Sequence, residues 1–203
     1  MSEPAGSKGY DRDAAALAKQ YESITFADVH RDVMHLFPGR PSRILDIGAG
    51  SGRDAAALAR LGHFVSATEP TAELRRQAQT IHAGLGIEGL DDALPELERI
   101  RQRRPLFDVI LLTAVWMHLD EGERRRAMRH VAELLPPSGK IVLSLRHGTV
   151  PPGRRMFDVS AEETTELGRQ HGLTEIHRSD REDMLGREAV WWSFLGLQSS
   201  IAP

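Results

Sequence analysis

The chain is 203 residues long, enough for one domain with a proper hydrophobic core, and its make-up of 40% hydrophobic and 27% charged residues is that of an ordinary globular protein. Cysteine is absent, which excludes disulfides, thiolate metal sites and thiol nucleophiles, and no apolar run reaches the roughly 20 residues that span a bilayer. A formal net charge of −3 provides no field for a polyphosphate backbone, so neither a nucleic-acid partner nor a membrane one is expected.

The N-terminal stretch MSEPAGSKGYDRDAAALAKQ lacks the basic-then-apolar layout of a secretory signal, and a cytoplasmic location is expected. Ala14, Leu17, Ala18 and Tyr21 repeat at helical spacing. Phe26, Val29, Val33, Leu36 and Phe37 mark a second helix, which Thr25 and Asp28 cap and Pro38-Gly39 end. The rhythm then changes to strands alternating with helices: strand 43–48, helix 53–61 closed by Gly62, strand 64–69, helix 71–85, a weak strand plus loop over 87–97, and a strong buried strand 107–113. Asp120 with Glu123 opens a helix that Pro136-Pro137 stops, and 140–145 is the next strand. Ser160 with Glu163 opens a helix running to about His171, and LTEIHRS and AVWWSFLGL supply two final strands. The arginine clusters Arg101/Arg103/Arg104 and Arg124/Arg125/Arg126 sit among acids in helical stretches and read as solvated faces. Such alternation requires crossover connections, so the fold class is α/β, a doubly wound, mostly parallel sheet covered on both faces.

In RILDIGAGSGRDAAAL the glycines Gly48, Gly50 and Gly52 fall between a strand and a helix, where ligands bind in doubly wound sheets. Residues without side chains let the main chain approach a ligand, and the helix beyond offers free N–H groups; tight strand-to-helix packing accounts for the same glycines. Glu69 ends the second strand, where an acid accepts both hydroxyls of a ribose, although it also suits a helix N-terminus. Asp91 and Asp92 follow the weak third strand, where a carboxylate accepts from an adenine amino group, or simply forms a turn. The pattern G-x-G-x-G followed by Arg53-Asp54 departs from the G-x-G-x-x-G of dinucleotide enzymes. A pyrophosphate would not welcome an acid there, whereas a ligand carrying an α-amino group and a carboxylate uses both charges. An NAD(P)-binding oxidoreductase is the second reading, and a non-catalytic cofactor-binding module the third.

LDIGAGSGRDAAALA, ATEP, DDALP, FDVILLTAVWMHL and LLPPSGKIVLSL together resemble the successive motifs of the class I S-adenosylmethionine-dependent methyltransferases. The resemblance covers about Ile44 to Arg146. It implies a Rossmann-like seven-stranded sheet with the last strand antiparallel, S-adenosyl-L-methionine as cofactor, S-adenosyl-L-homocysteine as product, and a single domain over 1–203 in which helices within 1–39 cap a core of 40–203. By that likeness Asp46 and the loop of Gly48, Ala49, Gly50 and Gly52 hold the methionine part, with Arg53, Asp54 and Thr113 beside it. Glu69 takes the ribose, with Pro70 also in the cofactor site, and Asp91 or Asp92 the adenine.

Methyl transfer from a sulfonium is a one-step displacement, and a base is needed only where the acceptor holds its proton. The residues just beyond the fourth and fifth strands, Thr113, Trp116, Met117 and His118, then Arg146 and His147, are placed for that chemistry, with His118 and His147 as candidate bases. A histidine packed on a backbone carbonyl is the alternative for His118. Tyr21 and His30 are of the kind that cap the pocket, and Arg146, Arg154 and Arg155, in the Pro/Gly/Arg segment 146–158, suit a clamp on an acceptor's carboxylate or phosphate. The nine histidines are scattered and no metal site is expected. A small-molecule methyltransferase, monomeric or homodimeric, is the expectation.

Overall fold

The computed structural model describes residues 10–200. Along the chain come α1 (Tyr10–Glu22), α2 (Phe26–His30), β1 (Arg43–Ile47), α3 (Arg53–Arg60), β2 (Phe64–Thr68) and α4 (Ala72–Ile81). They are followed by β3 (Glu88–Leu90), α5 (Glu98–Gln102), β4 (Val109–Leu112), α6 (Glu121–Ala132) and β5 (Lys140–His147). Last are α7 (Ala161–Arg169), β6 (Leu173–Glu182) and β7 (Trp191–Ser199). The seven strands form one sheet in the order β3-β2-β1-β4-β5-β7-β6, parallel except for β7, which runs against both β5 and β6.

The apolar runs are continuous in β1, β4 and β5 because both faces of these strands are covered. Successive side chains alternate between two cores. Leu45, Ile110, Leu112, Ile141 and Leu143 face α6 and α7 through Met128, Val131 and Leu167. Ile44, Val109, Leu111 and Val142 face α3 and the N-terminal segment through Leu58, Phe26 and Leu36. The sheet edges are blunted: β3 is short, and β6 beyond Leu173 alternates half-buried with exposed positions, among them the charged Arg178, Asp180 and Glu182. No helix among the described residues is long and apolar enough to cross a membrane.

The capping residues behave as their sequence predicts. Thr25 and Ser160 accept the amides of Asp28 and Glu163, and Asp120 with Glu123 makes a full capping box. Other boundaries shift. The second N-terminal helix stops at His30 and gives way to a 3-10 turn, Met34–Leu36, yet Phe26, Val33 and Leu36 still enter the core. The weak strand contracts to β3, after which the chain turns into α5. β5 runs on to His147 and β6 to Glu182, because β7 offers each a long antiparallel partner. Arg124, expected in solvent, is buried instead: it donates to Glu163 of α7 and to the Leu119 carbonyl, joining α6 to α7.

Candidate active site

The carboxyl ends of β1, β4 and β5 open on one cavity of about 510 Å³, a size that holds a small organic ligand. Tyr10, Leu17 and Tyr21 of α1 roof it. Gly48 and Gly50 bare its floor in left-handed conformations, φ +68° and +57°. A Cβ on Gly48 would come within 2.6 Å of Val115 Cγ2, and one on Gly50 would press on the Tyr21 ring at 3.3 Å. The amides of Gly48 and Ala49 both donate to the Thr68 carbonyl at the end of β2, at 2.8 and 3.0 Å, which pins the loop across two strands. Gly48→Ala is therefore expected to destabilise the protein by about 1–3 kcal/mol through overpacking, read as a lower Tm in thermal unfolding. Gly52, expected in the same cradle, does not line this cavity. It lies under Ala78 of α4 and His82 just beyond it, where its missing side chain serves helix packing.

Asp46, at the end of β1, is buried close to the Ala55 amide, which favours its charged form, but its Oδ2 has no partner among the described residues. Burial and then the neighbouring Asp54 push its pKa well above the usual carboxylate range. A cation from the cavity is what that oxygen lacks. Asp54, by contrast, is fully partnered: His30 Nε2 lies at 2.9 Å, Arg53 Nε at 2.7 Å and the Thr113 hydroxyl at 2.8 Å. Burial would raise its pKa, but His30 and Arg53 overcome this and hold the carboxyl well below the ordinary range. His30 is thus not a pocket cap. It is packed between Phe26 and Phe37, away from the cavity, and positions Asp54. Arg53 and Thr113 line the cavity, and Arg53 also donates to the Tyr21 carbonyl of α1 at 3.2 Å.

Glu69 is buried at the end of β2, one oxygen accepting the Gly50 amide and the other the Thr71 amide, each at 2.9 Å. Burial raises its pKa, while those amides and Arg75 oppose the rise. Glu69 and Pro70 both line the cavity, and a carboxylate with one amide on each oxygen keeps lone pairs for hydroxyl donors. Asp91 and Asp92 do not reach it. Asp91 pairs with Arg75 at 3.1 Å, and Asp92 accepts the amides of Ala93 and Ile100, fastening the loop before α5. The wall there is apolar, made by Leu74, Ala93, Leu94 and Pro95.

At the other end His118 closes a 3-10 turn after β4 and lines the cavity. Its Nδ1 lies 2.8 Å from the Arg155 carbonyl, which can only accept, so Nδ1 carries the proton and Nε2 keeps its lone pair. The Tyr10 hydroxyl meets Nε2 at 3.3 Å. Burial lowers the pKa of the ring; the Arg155 carbonyl opposes this, and nearby Arg154, Arg155 and Arg146 reinforce it. Trp116 is core rather than site: it is fully buried on the α6 side of the sheet. His147 is also turned away. Because β5 continues past residue 145, Ser144 and Arg146 share the cavity face while His147 points opposite, stacked on Trp191 and 3.0 Å from the Ser193 hydroxyl. Arg154 lines the cavity with its guanidinium 3.8 Å from the centre of the Tyr10 ring. Arg155, though at the rim, is engaged by Asp120 and Glu123, which anchor its loop to α6.

A family model described as a methyltransferase domain matches residues 17–194. The chain belongs to this methyltransferase family. An uncharacterised methyltransferase of Geobacillus sp. (strain WCH70) is 25% identical over 174 residues, 83% of this chain and 76% of the relative. A ubiquinone biosynthesis O-methyltransferase of Caulobacter sp. (strain K31) is 32% identical over 126 residues, 61% of this chain, and the match spans only 48% of that relative. The solved 1,6-didemethyltoxoflavin-N1-methyltransferase of Burkholderia thailandensis, with 1,6-didemethyltoxoflavin and S-adenosylhomocysteine bound, superposes with a TM-score of 0.66 at 23% identity, covering 94% of this chain and 90% of that one.

The methyltransferase sheet, with only β7 antiparallel, is the class I arrangement that the motifs resemble. The oxidoreductase reading falls with the family match, and the site supplies a reason: an ionised Asp54 in the first turn of α3 stands where a pyrophosphate would meet the helix N-terminus. Sequence reasoning passed over the β6–β7 hairpin of the methyltransferase, whose Arg181, Asp183, Met184, Arg187, Trp192 and Phe194 complete the cavity wall. A signal was present. Residues 183–190 form a hairpin loop longer than the usual 2–5 or so, rich in charge, at the ligand end of the sheet.

Proposed function

We propose that this methyltransferase binds S-adenosylmethionine between the glycine loop and Glu69 and passes its methyl group to a small-molecule acceptor under α1. The observation that carries this is Asp46 Oδ2, a buried and unpartnered carboxylate oxygen beside a floor that admits no side chain. When bound, S-adenosylmethionine supplies an electrophilic methyl group on a cationic sulfur, and S-adenosylhomocysteine is the neutral thioether left behind.

Asp46 accepts from the amino group of the methionine part, and Arg53, whose Nη2 makes no protein hydrogen bond among the described residues, faces its carboxylate. Glu69 takes the ribose hydroxyls, and the Leu74–Pro95 wall packs the adenine. His118 Nε2 takes the proton that an acceptor hydroxyl or N–H gives up. Tyr10, Leu17 and Tyr21 of α1 cover the cavity and keep water from it. Acceptors are therefore small enough to fit beneath α1.

α1 is held by Glu22, which accepts from the Ser51 hydroxyl at 2.6 Å and meets His82 Nε2 at 3.1 Å. Glu22→Ala loosens this roof and is expected to speed S-adenosylhomocysteine release about fivefold, the equivalent of roughly 1 kcal/mol of hydrogen bonding, measured by stopped-flow. The functional reading itself is tested by calorimetry with S-adenosylhomocysteine, followed by a metabolite extract incubated with methyl-labelled S-adenosylmethionine and mass detection of what acquires the label. Absence of binding at millimolar S-adenosylhomocysteine would sink it.

A further inference from the structure

Arg146 is at odds with the other arginines of the cavity wall. Arg154 faces Asp13, Arg155 faces Asp120 and Glu123, Arg181 faces Asp32, and Arg187 faces Asp183. Arg146 makes no ion pair and no hydrogen bond among the described residues, Asp183 acting on its charge only through space, although it is only 7% exposed and its Nε is fully enclosed. The strand dictates this. Val142, Ser144 and Arg146 alternate onto one face of β5, and by residue 146 that face has passed from the core into the cavity. Its cross-strand neighbour is Trp192, whose Nε1 donates to Asp183 at 2.8 Å. Asp183 also accepts both Arg187 Nε and Nη2, so the nearest acid of the hairpin is already fully engaged.

A buried guanidinium without a partner is costly and persists where something other than the fold supplies the counter-charge. We propose that the methyl acceptor is a small carboxylate with a flat apolar body, its carboxylate seated on Arg146; this rests on the methyltransferase reading given above. The planar fork of arginine matches a carboxylate in two parallel hydrogen bonds. One uncompensated positive charge calls for one negative charge, which a carboxylate carries and a phosphate monoester dianion exceeds. Arg154 lines the same cavity, its guanidinium stacked on Tyr10 and its Nη1 without a hydrogen-bond acceptor among the described residues. Tyr21, Trp192, Phe194, Met156 and Met184 give the surrounding surface an aromatic and thioether character suited to a flat body. A carboxylate gripped by a guanidinium is a poor nucleophile, so it anchors the acceptor and a separate hydroxyl or N–H is presented to His118.

The test is calorimetry of the full chain, with and without saturating S-adenosylhomocysteine, against benzoate, 4-hydroxybenzoate and 4-hydroxyphenylacetate, each paired with its neutral amide, and against phenyl phosphate. At least one acid is expected to bind about 10- to 100-fold more tightly than its amide, the range for a hydrogen-bonded charge. Arg146→Gln should erase that preference, Arg146→Lys should restore part of it, and both should keep the wild-type Kd for S-adenosylhomocysteine within about twofold, which also shows that they fold. The proposal is overturned if no acid exceeds its amide, if Arg146→Gln retains the preference, or if phenyl phosphate binds more tightly than every acid. Failure of the wild type to bind S-adenosylhomocysteine overturns the cofactor reading instead, since the preference for acids is scored separately in its absence.

Discussion

Asp46→Asn is expected to weaken S-adenosylhomocysteine binding by about 30- to 1,000-fold, the 2–4 kcal/mol that follows removal of one partner from a buried charge pair, while making the ligand-free protein more stable. The two effects have one cause. The Asp46 carboxyl is enclosed, close to an Asp54 that stays ionised, and one of its oxygens has no donor. An amide of the same shape removes the cost of charging that site, worth about 1 kcal/mol or more and about 2–4 °C in Tm for a chain of this size. Thermal melts with and without S-adenosylhomocysteine read both effects together. A variant that melts lower than wild type and still gains the full shift on adding ligand would contradict this account of Asp46.

The same carboxyl sets a pH dependence whose sign is fixed. Its folded pKa is raised above the unfolded value, so the folded state holds the proton more tightly, and the stability this gives at low pH is lost as pH rises through the folded pKa. The ligand's amino group favours the ionised form, so affinity should rise with pH over that window and binding should release protons below its upper end. Glu69, also raised by burial, titrates in the same direction. Calorimetry in buffers of different ionisation heats measures the protons released, and Asp46→Asn should remove most of them.

What was legible in the sequence depended on whether local pattern or distant partners decided the outcome. The apolar runs of β1, β4 and β5 and the caps at Thr25, Asp120 and Ser160 are local facts, and they gave a doubly wound sheet whose carboxyl ends carry Asp46, the glycine loop, Glu69 and His118. Side chains near a strand end depend on where pairing stops, which β7 decides from far along the chain. Hence Arg146 and His147, adjacent and both placed at the site from sequence, point to opposite faces. Trp116 lies one turn position away from the cavity-lining Met117 and His118, yet it belongs to the core. Asp92 looked like a ligand group because it follows β3, but its oxygens are claimed by the adjacent Ala93 amide and by Ile100 of α5, a short helix with little amphipathic signal. Arg124 became structural only because α7 brings Glu163 to it.

His118→Gln is expected to lower kcat about 10²- to 10⁴-fold, the usual contribution of a positioned base, with the Kd for S-adenosylhomocysteine unchanged, because the ring stands at the acceptor end of the cavity. The Arg155 carbonyl fixes the tautomer, so Nε2 carries a lone pair whenever the ring is neutral, and an acceptor's proton reaches it by displacing the Tyr10 hydroxyl. Burial, reinforced by the surrounding arginines against the pull of that carbonyl, keeps the ring pKa below its ordinary value near 6.5. The base is thus neutral at pH 7, and wild-type kcat/KM for an acceptor found in the labelling screen should decline only on the acid side, as pH falls through this lowered pKa. His118→Gln should lose that limb along with the rate. Nitrogen-15 spectra of the imidazole test the same claim without any acceptor, through a neutral ring protonated at Nδ1 across pH 7. A ring protonated at Nε2, or carrying both protons at that pH, has no lone pair facing the cavity, and the acceptor would then have to give up its proton to solvent or to a group other than this histidine.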